Sequence, residues 1–202
     1  MVEYWNKAIK KDKKGGKTIN NIEILEGQIR QIFAGTVWTH KIQEKQADIY
    51  LDRYKRLENW RIGLSAVTTS GIVTVVFIDE FWLKVLTAII SGVSFFINSY
   101  FKIYDLKSLY KQHKVSAIEL LELREELISV LCDIKLEKYD KNSLSVKRDE
   151  LLKKQMFIYK KCLDVESKAV NQASDNLKSR KDNTYSDEEI DSFLPVVARK
   201  KQ

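Results

Sequence analysis

Residues 62–101 read IGLSAVTTSGIVTVVFI (62–78), DEFWLK (79–84) and VLTAIISGVSFFINSYF (85–101). Neither outer run holds a charge. A helix as long as either run rises about 25 Å, slightly short of the ~30 Å hydrocarbon core of a bilayer. Trp60, Trp82, Tyr100 and Tyr104 stand at the edges and extend each span into the interfaces. The stretch therefore reads as a membrane hairpin. It predicts an all-α protein with two transmembrane helices, extended by long cytoplasmic helices that form a bundle or coiled-coil stalk. A soluble helical protein with a buried helical pair is the competing reading. It gives no reason for basic residues at both base ends of the hairpin.

Those base ends are basic. Lys41, Lys45, Arg53, Lys55, Arg56 and Arg61 precede the first span, and Lys102, Lys107, Lys111 and Lys114 follow the second. The tip carries Lys84 against Asp79 and Glu80. The positive-inside rule then predicts a multi-pass protein of the cell membrane with both termini in the cytoplasm.

Composition limits the alternatives. One Pro and seven Gly in 202 residues leave little turn chemistry for a sheet-rich fold. The net charge of +7 comes partly from these juxtamembrane cations and partly from Lys7, Lys10, Lys11, Lys13, Lys14 and Lys17. A basic run beside a membrane meets anionic lipid, and no basic-aromatic interleaving argues for direct nucleic-acid binding. Cys132 and Cys162 stand apart and read as small core residues kept reduced in the cytoplasm. His40 and His113 lack ligand spacing, so no metal site is expected. There is no Gly-rich phosphate loop, no GxSxG elbow and no HExxH, so no catalytic residue and no cofactor is assigned.

Working outward, the chain divides into a basic arm (1–18), helices leading into the first span (19–61), the hairpin (62–101), a cytoplasmic helical region (102–180) and a tail (181–202). Ile22, Leu25, Ile29, Ile32 and Phe33 recur at helical spacing from Asn21, with Thr18 or Asn20 as cap. Gly35-Thr36 reads as an interruption, with Thr36 capping a second helix that runs from Val37 into the first span. No breaker follows Phe101, so the second span is expected to continue through Tyr104 and Leu109. Leu120, Leu123, Leu127, Val130 and Ile134 step by three and four, a coiled-coil-like seam broadened by Leu121, Ile128 and Leu131. Asp140, Asn142 and Ser143 mark a turn. A last helix over 146–179 is expected, capped by Ser143 or Ser145 and carrying Leu151, Met156, Leu163, Val165 and Ala169 on its apolar side. Ser186 and Glu189 have capping-box spacing ahead of Ile190, Phe193 and Leu194, which reads as a frayed tail or a docking peptide.

One feature of the spans is polar. Thr87, Ser91, Ser94 and Asn98 fall on one face of the second span, and Ser65, Thr68 and Thr69 on one side of the first. In lipid such groups turn inward to find partners. They fit a helix–helix seam, supported by small-xxx-small spacing at Ala66/Ser70 and Ala88/Gly92. As the second reading after the seam, they also fit the lining of a pore, which a two-helix unit forms only as a homo-oligomer.

The stretch Val37-Trp38-Thr39-His40-Lys41-Ile42-Gln43-Glu44-Lys45-Gln46-Ala47-Asp48, continued through Tyr54, Trp60 and Ser65 to Gly71, resembles the SLATT domains. These are bacterial two-transmembrane effectors associated with nucleotidyltransferase and SLOG sensor proteins. The shared features are the Trp38-Thr39 opening, a basic-polar helix, the Ala47-Asp48 pair and a Ser/Thr-bearing first span. The resemblance covers roughly residues 20–180, and the long helices after the second span look most like the fifth subfamily. It implies an anti-phage effector in the inner membrane that opens or assembles a pore. It also implies a sensor partner such as a nucleotidyltransferase or a reverse transcriptase. On physical grounds Trp38 and Thr39 read as a helix start and an anchor. A membrane-anchored helical scaffold that recruits a cytoplasmic partner is the alternative.

Overall fold

The computed structural model describes residues 21–77, 80–179, 186, 189 and 190. The basic arm, the tip residue Asp79 and most of the tail lie outside the described residues. The fold is all-α, in the order α1 (Asn21–Phe77), α2 (Phe81–Ile103), α3 (Leu106–Lys135), α4 (Lys141–Lys161) and α5 (Ser167–Lys178). The chain divides into two compact units. The first comprises the chain through Val37 with Glu119–Lys160; the second comprises Trp38–Ile118 with the chain from Lys161 onward.

The first unit has a conventional apolar core. Leu120, Leu123, Leu127, Val130 and Ile134 are all buried, as the three-and-four spacing requires. They share that core with Ile29 and Ile32 of α1 and with Leu144, Leu151 and Ile158 of α4. Leu121 and Ile128 stay partly exposed beside the seam. Glu126 on α3 receives Lys147 and Lys154 of α4, each at 2.9 Å.

Several expected boundaries move. No break occurs at Gly35-Thr36: α1 runs through it, so Trp38 and Thr39 do not open a helix. Thr36 Oγ1 donates to Ile32 O within the helix at 2.9 Å and accepts from Gln155 Nε2 at 3.0 Å. Gly35 is there for close approach. A Cβ would stand 3.3 Å from Tyr159 Oη and 3.4 Å from Gln155 Nε2. The second span does stop, at Ile103, because Asp105 Oδ1 accepts the Ser108 N–H at 2.9 Å and starts α3 as a cap. Asp140, not Ser143 or Ser145, caps α4: its carboxylate accepts the Ser143 N–H at 2.8 Å, and Ser143 Oγ accepts the Asp140 N–H at 3.1 Å. The expected last helix is two helices, separated by residues 162–166. Cys132 is exposed rather than a core residue, and Cys162 lies in that link, half-buried. Ser186 and Glu189 do form the reciprocal capping box, at 2.8 and 3.3 Å.

Candidate functional site

The hairpin belongs wholly to the second unit, and it is built inside out. No residue of α2 is buried. Trp82, Leu86, Ile89, Val93, Phe95 and Phe96 are exposed, whereas Thr87, Ser91 and Ser94 are half-buried. On α1 the half-buried positions are Leu64, Thr68, Gly71 and Thr74, spaced by four, three and three. These two faces meet. Thr87 Oγ1 lies 3.1 Å from where a Gly71 Cβ would stand, so the absence of a side chain at Gly71 lets the helices close there. Nearer the base, Phe101 packs edge-on against Tyr54 with centroids 5.8 Å apart, and the Arg61 guanidinium lies 5.2 Å over the same ring.

Below the Gly71–Thr87 contact the helices leave a groove of about 790 Å³. Its polar lining is Arg61, Ser65, Thr68, Thr69, Ser70, Ser94 and Asn98. Five of the seven polar residues singled out in the spans therefore come together in one groove. Thr87 sits instead at the helix contact, and Ser91 is half-buried without lining the groove. Most hydroxyls satisfy themselves locally. Thr69 donates to Ser65 O, Ser70 to Ala66 O, Thr74 to Ser70 O and Ser94 to Ile90 O, all between 2.9 and 3.0 Å. A hydroxyl that bonds back to its own turn needs no partner across the membrane. Thr68 differs: its Oγ1 is buried and makes no hydrogen bond among the described residues.

Length and composition agree with a membrane setting. Among the described residues one stretch, α2 with α3 after it (Phe81–Lys135), holds a window long and apolar enough to cross a bilayer, and none of that window is buried. The 23 residues of α2 rise about 34 Å, enough for a ~30 Å core. The family of SMODS and SLOG-associating 2TM effector domains, family 4, matches residues 25–189. The chain is a SLATT protein. Its matching family is the fourth, where the sequence pattern had pointed to the fifth. No curated protein and no solved structure matches the chain.

The SLATT pattern residues lead into a second polar feature beneath the hairpin. Trp38 lies within α1 with Lys178 Nζ 5.6 Å over its ring, Ala47 is fully buried, and Asp48 is exposed. Sequence reasoning passed over the glutamines between them. Gln43 Oε1 meets His113 Nδ1 at 2.5 Å, and Gln43 Nε2 donates to Leu163 O at 3.3 Å. Gln46 Oε1 accepts the Glu166 N–H at 2.8 Å. Arg53 holds the Glu166 carboxylate with both guanidinium nitrogens, at 2.6 and 2.7 Å. The 162–166 link is thus fastened to α1 at three points. The Arg53 hydrogen bonds hold the Glu166 carboxyl below its ordinary pKa. The His113 ring is almost wholly buried and stacks on Tyr50 with centroids 5.4 Å apart. Burial pushes its pKa down, which favours the neutral ring. The signal that could have found this network is the Gln-x-x-Gln spacing at 43 and 46, which puts two amides on the buried face of a charged helix.

Proposed function

We propose that this SLATT protein is an anti-phage effector of the bacterial inner membrane, with both termini in the cytoplasm, and that several copies assemble into a pore. The observation that carries the reading is the groove. A hairpin apolar on its outside leaves Arg61, Ser65, Thr68, Thr69, Ser94 and Asn98 along one open side. Hydrocarbon is a poor solvent for that side, and a second hairpin or water is a good one. Two helices cannot enclose a path, so the groove becomes a lining only when copies close around it. The family's association with SMODS and SLOG supports a trigger relayed by a sensor protein such as a nucleotidyltransferase or a reverse transcriptase. The role asks nothing catalytic of the chain.

The test is membrane potential in bacteria expressing the protein, read with a voltage-sensitive dye under phage challenge. The native chain depolarises the cells. Ser94→Leu with Asn98→Leu keeps the protein in the membrane and abolishes depolarisation. Full depolarisation by the double variant removes the lining assignment. An unchanged potential with native protein present in the membrane favours the anchored scaffold instead.

A further inference from the structure

A cleft of about 350 Å³ lies between α1 and α5, within the second unit and below the hairpin. Its volume falls in the range of small-ligand sites. The two helices run antiparallel across it, because Glu166 at the start of α5 meets Arg53 while Lys178 at its end meets Trp38. Charge is distributed unevenly along the cleft. Toward the start of α5 stand Arg53, Arg56 and Lys168, with one carboxylate, Asp52, beside them. Toward its end stand Asp175 and the buried Asn176, and Lys45 there already holds Asp48 at 3.2 Å. Arg56 and Lys168 are exposed and make no ion pair among the described residues. Arg53 gives two of its five N–H donors to Glu166, and both partners remain partly open to solvent.

Three cations against the single carboxylate of Asp52 leave this end of the cleft net positive, which suits a phosphate, for which a guanidinium fork is a strong bidentate donor. Carboxylates and an amide at the other end suit hydroxyl or amino groups on the same molecule. We infer that the α1–α5 cleft binds a phosphate ester bearing hydroxyl or amino groups, and that the phosphate competes with Glu166 for Arg53. Occupancy draws Arg53 away and loosens the fastening of the 162–166 link to α1. The same chemistry is offered by a soluble nucleotide and by a phospholipid headgroup. Arg56 lies six residues before Ile62, about 9 Å along the helix, within reach of headgroups. Lys45 lies about 25 Å below the same point, within reach of a soluble ligand only. The inference does not depend on pore formation, since binding is read without ion flux.

The experiment uses the full chain in phosphatidylcholine nanodiscs. Adenosine monophosphate is titrated by microscale thermophoresis, with adenosine as control. In parallel, native mass spectrometry counts phosphatidylglycerol and phosphatidylethanolamine retained from mixed nanodiscs. Arg56→Gln with Lys168→Gln weakens the operative ligand about tenfold or more. Glu166→Gln strengthens it several-fold, because it removes the competing carboxylate; a variant that merely unfolds shows the opposite sign. Nucleotide binding with this pattern identifies a soluble ligand. Lipid retention with this pattern, and no nucleotide binding, identifies a headgroup. Absence of both, or binding indifferent to these three positions, overturns the inference.

Discussion

The first unit and the hairpin are rich in the same aliphatic and aromatic residues and place them on opposite sides. In the first unit Ile29, Leu120, Leu127, Leu144 and Leu151 are sealed inside. In the hairpin Trp82, Phe95 and Phe96 face outward, each more than two-thirds exposed. The helix periodicity is alike, so the difference lies in the solvent each part is built for. Water drives the first unit's leucines inward. Lipid tails are as apolar as leucine, and packing and polar groups decide which face meets the neighbouring helix.

The sharpest way to break that comparison is to cut one side chain from each region. Leu127→Ala should cost the first unit about 2–5 kcal/mol, since it opens a cavity where the native side chain is fully buried. Phe96→Ala should cost the isolated protein under about 1 kcal/mol, since beyond an edge-on contact with Phe95 it gives up contact with lipid or detergent. Denaturant unfolding in detergent, followed by circular dichroism, compares the two. Equal losses would mean that Phe96 is covered in solution, as it would be between copies.

The second unit adds a third kind of interior, a polar one. His113 sharpens the contrast because its neighbours are Gln43 and Tyr50, and no charge contributes to its shift. A histidine whose folded pKa is depressed binds fewer protons folded than unfolded. Its stabilising contribution is whole above the unfolded value of about 6.5 and shrinks as pH falls below it. Acidification from pH 7.5 to 5.5 should therefore lower the melting temperature, and His113→Gln should flatten that part of the profile. Glu166 acts in the same direction further down the scale. Its contribution is present above the ordinary carboxylate range and is lost as pH falls through its depressed folded value.

Much of this fold was legible because helix periodicity is a local property. The apolar spans, the seam from Leu120 to Ile134 and the capping box at Ser186 follow from spacings of three and four residues. What was not legible depends on partners far along the chain. Gly35 looked like a breaker, yet its reason is the approach of Tyr159 and Gln155, more than a hundred residues away. No Gly or Pro announces the stop at Lys161; the 162–166 link is held open by Gln43, Gln46 and Arg53. The hairpin's polar residues were visible as a stripe. Their division between the contact at Gly71 and the groove at Ser94 and Asn98 needed the packing of both helices.

The smallest effect lies at the turn that ends α3, in the first unit. Glu137 has φ of 55°, in the left-handed region where a side chain crowds the backbone. The chain accepts this because the turn closes two carbonyls of α3: Glu137 N–H donates to Ile134 O at 3.0 Å, and Lys138 N–H to Asp133 O at 3.1 Å. Glycine adopts this conformation without the steric cost, but it also widens the unfolded ensemble. Glu137→Gly should therefore stabilise the first unit by only about 0.5–1 kcal/mol, read as a shift in its unfolding midpoint. The hairpin should not respond, because its described residues contain no positive φ to relieve. A gain confined to the first unit would show that the two regions unfold separately. A single shifted transition for the whole chain would show that they melt as one.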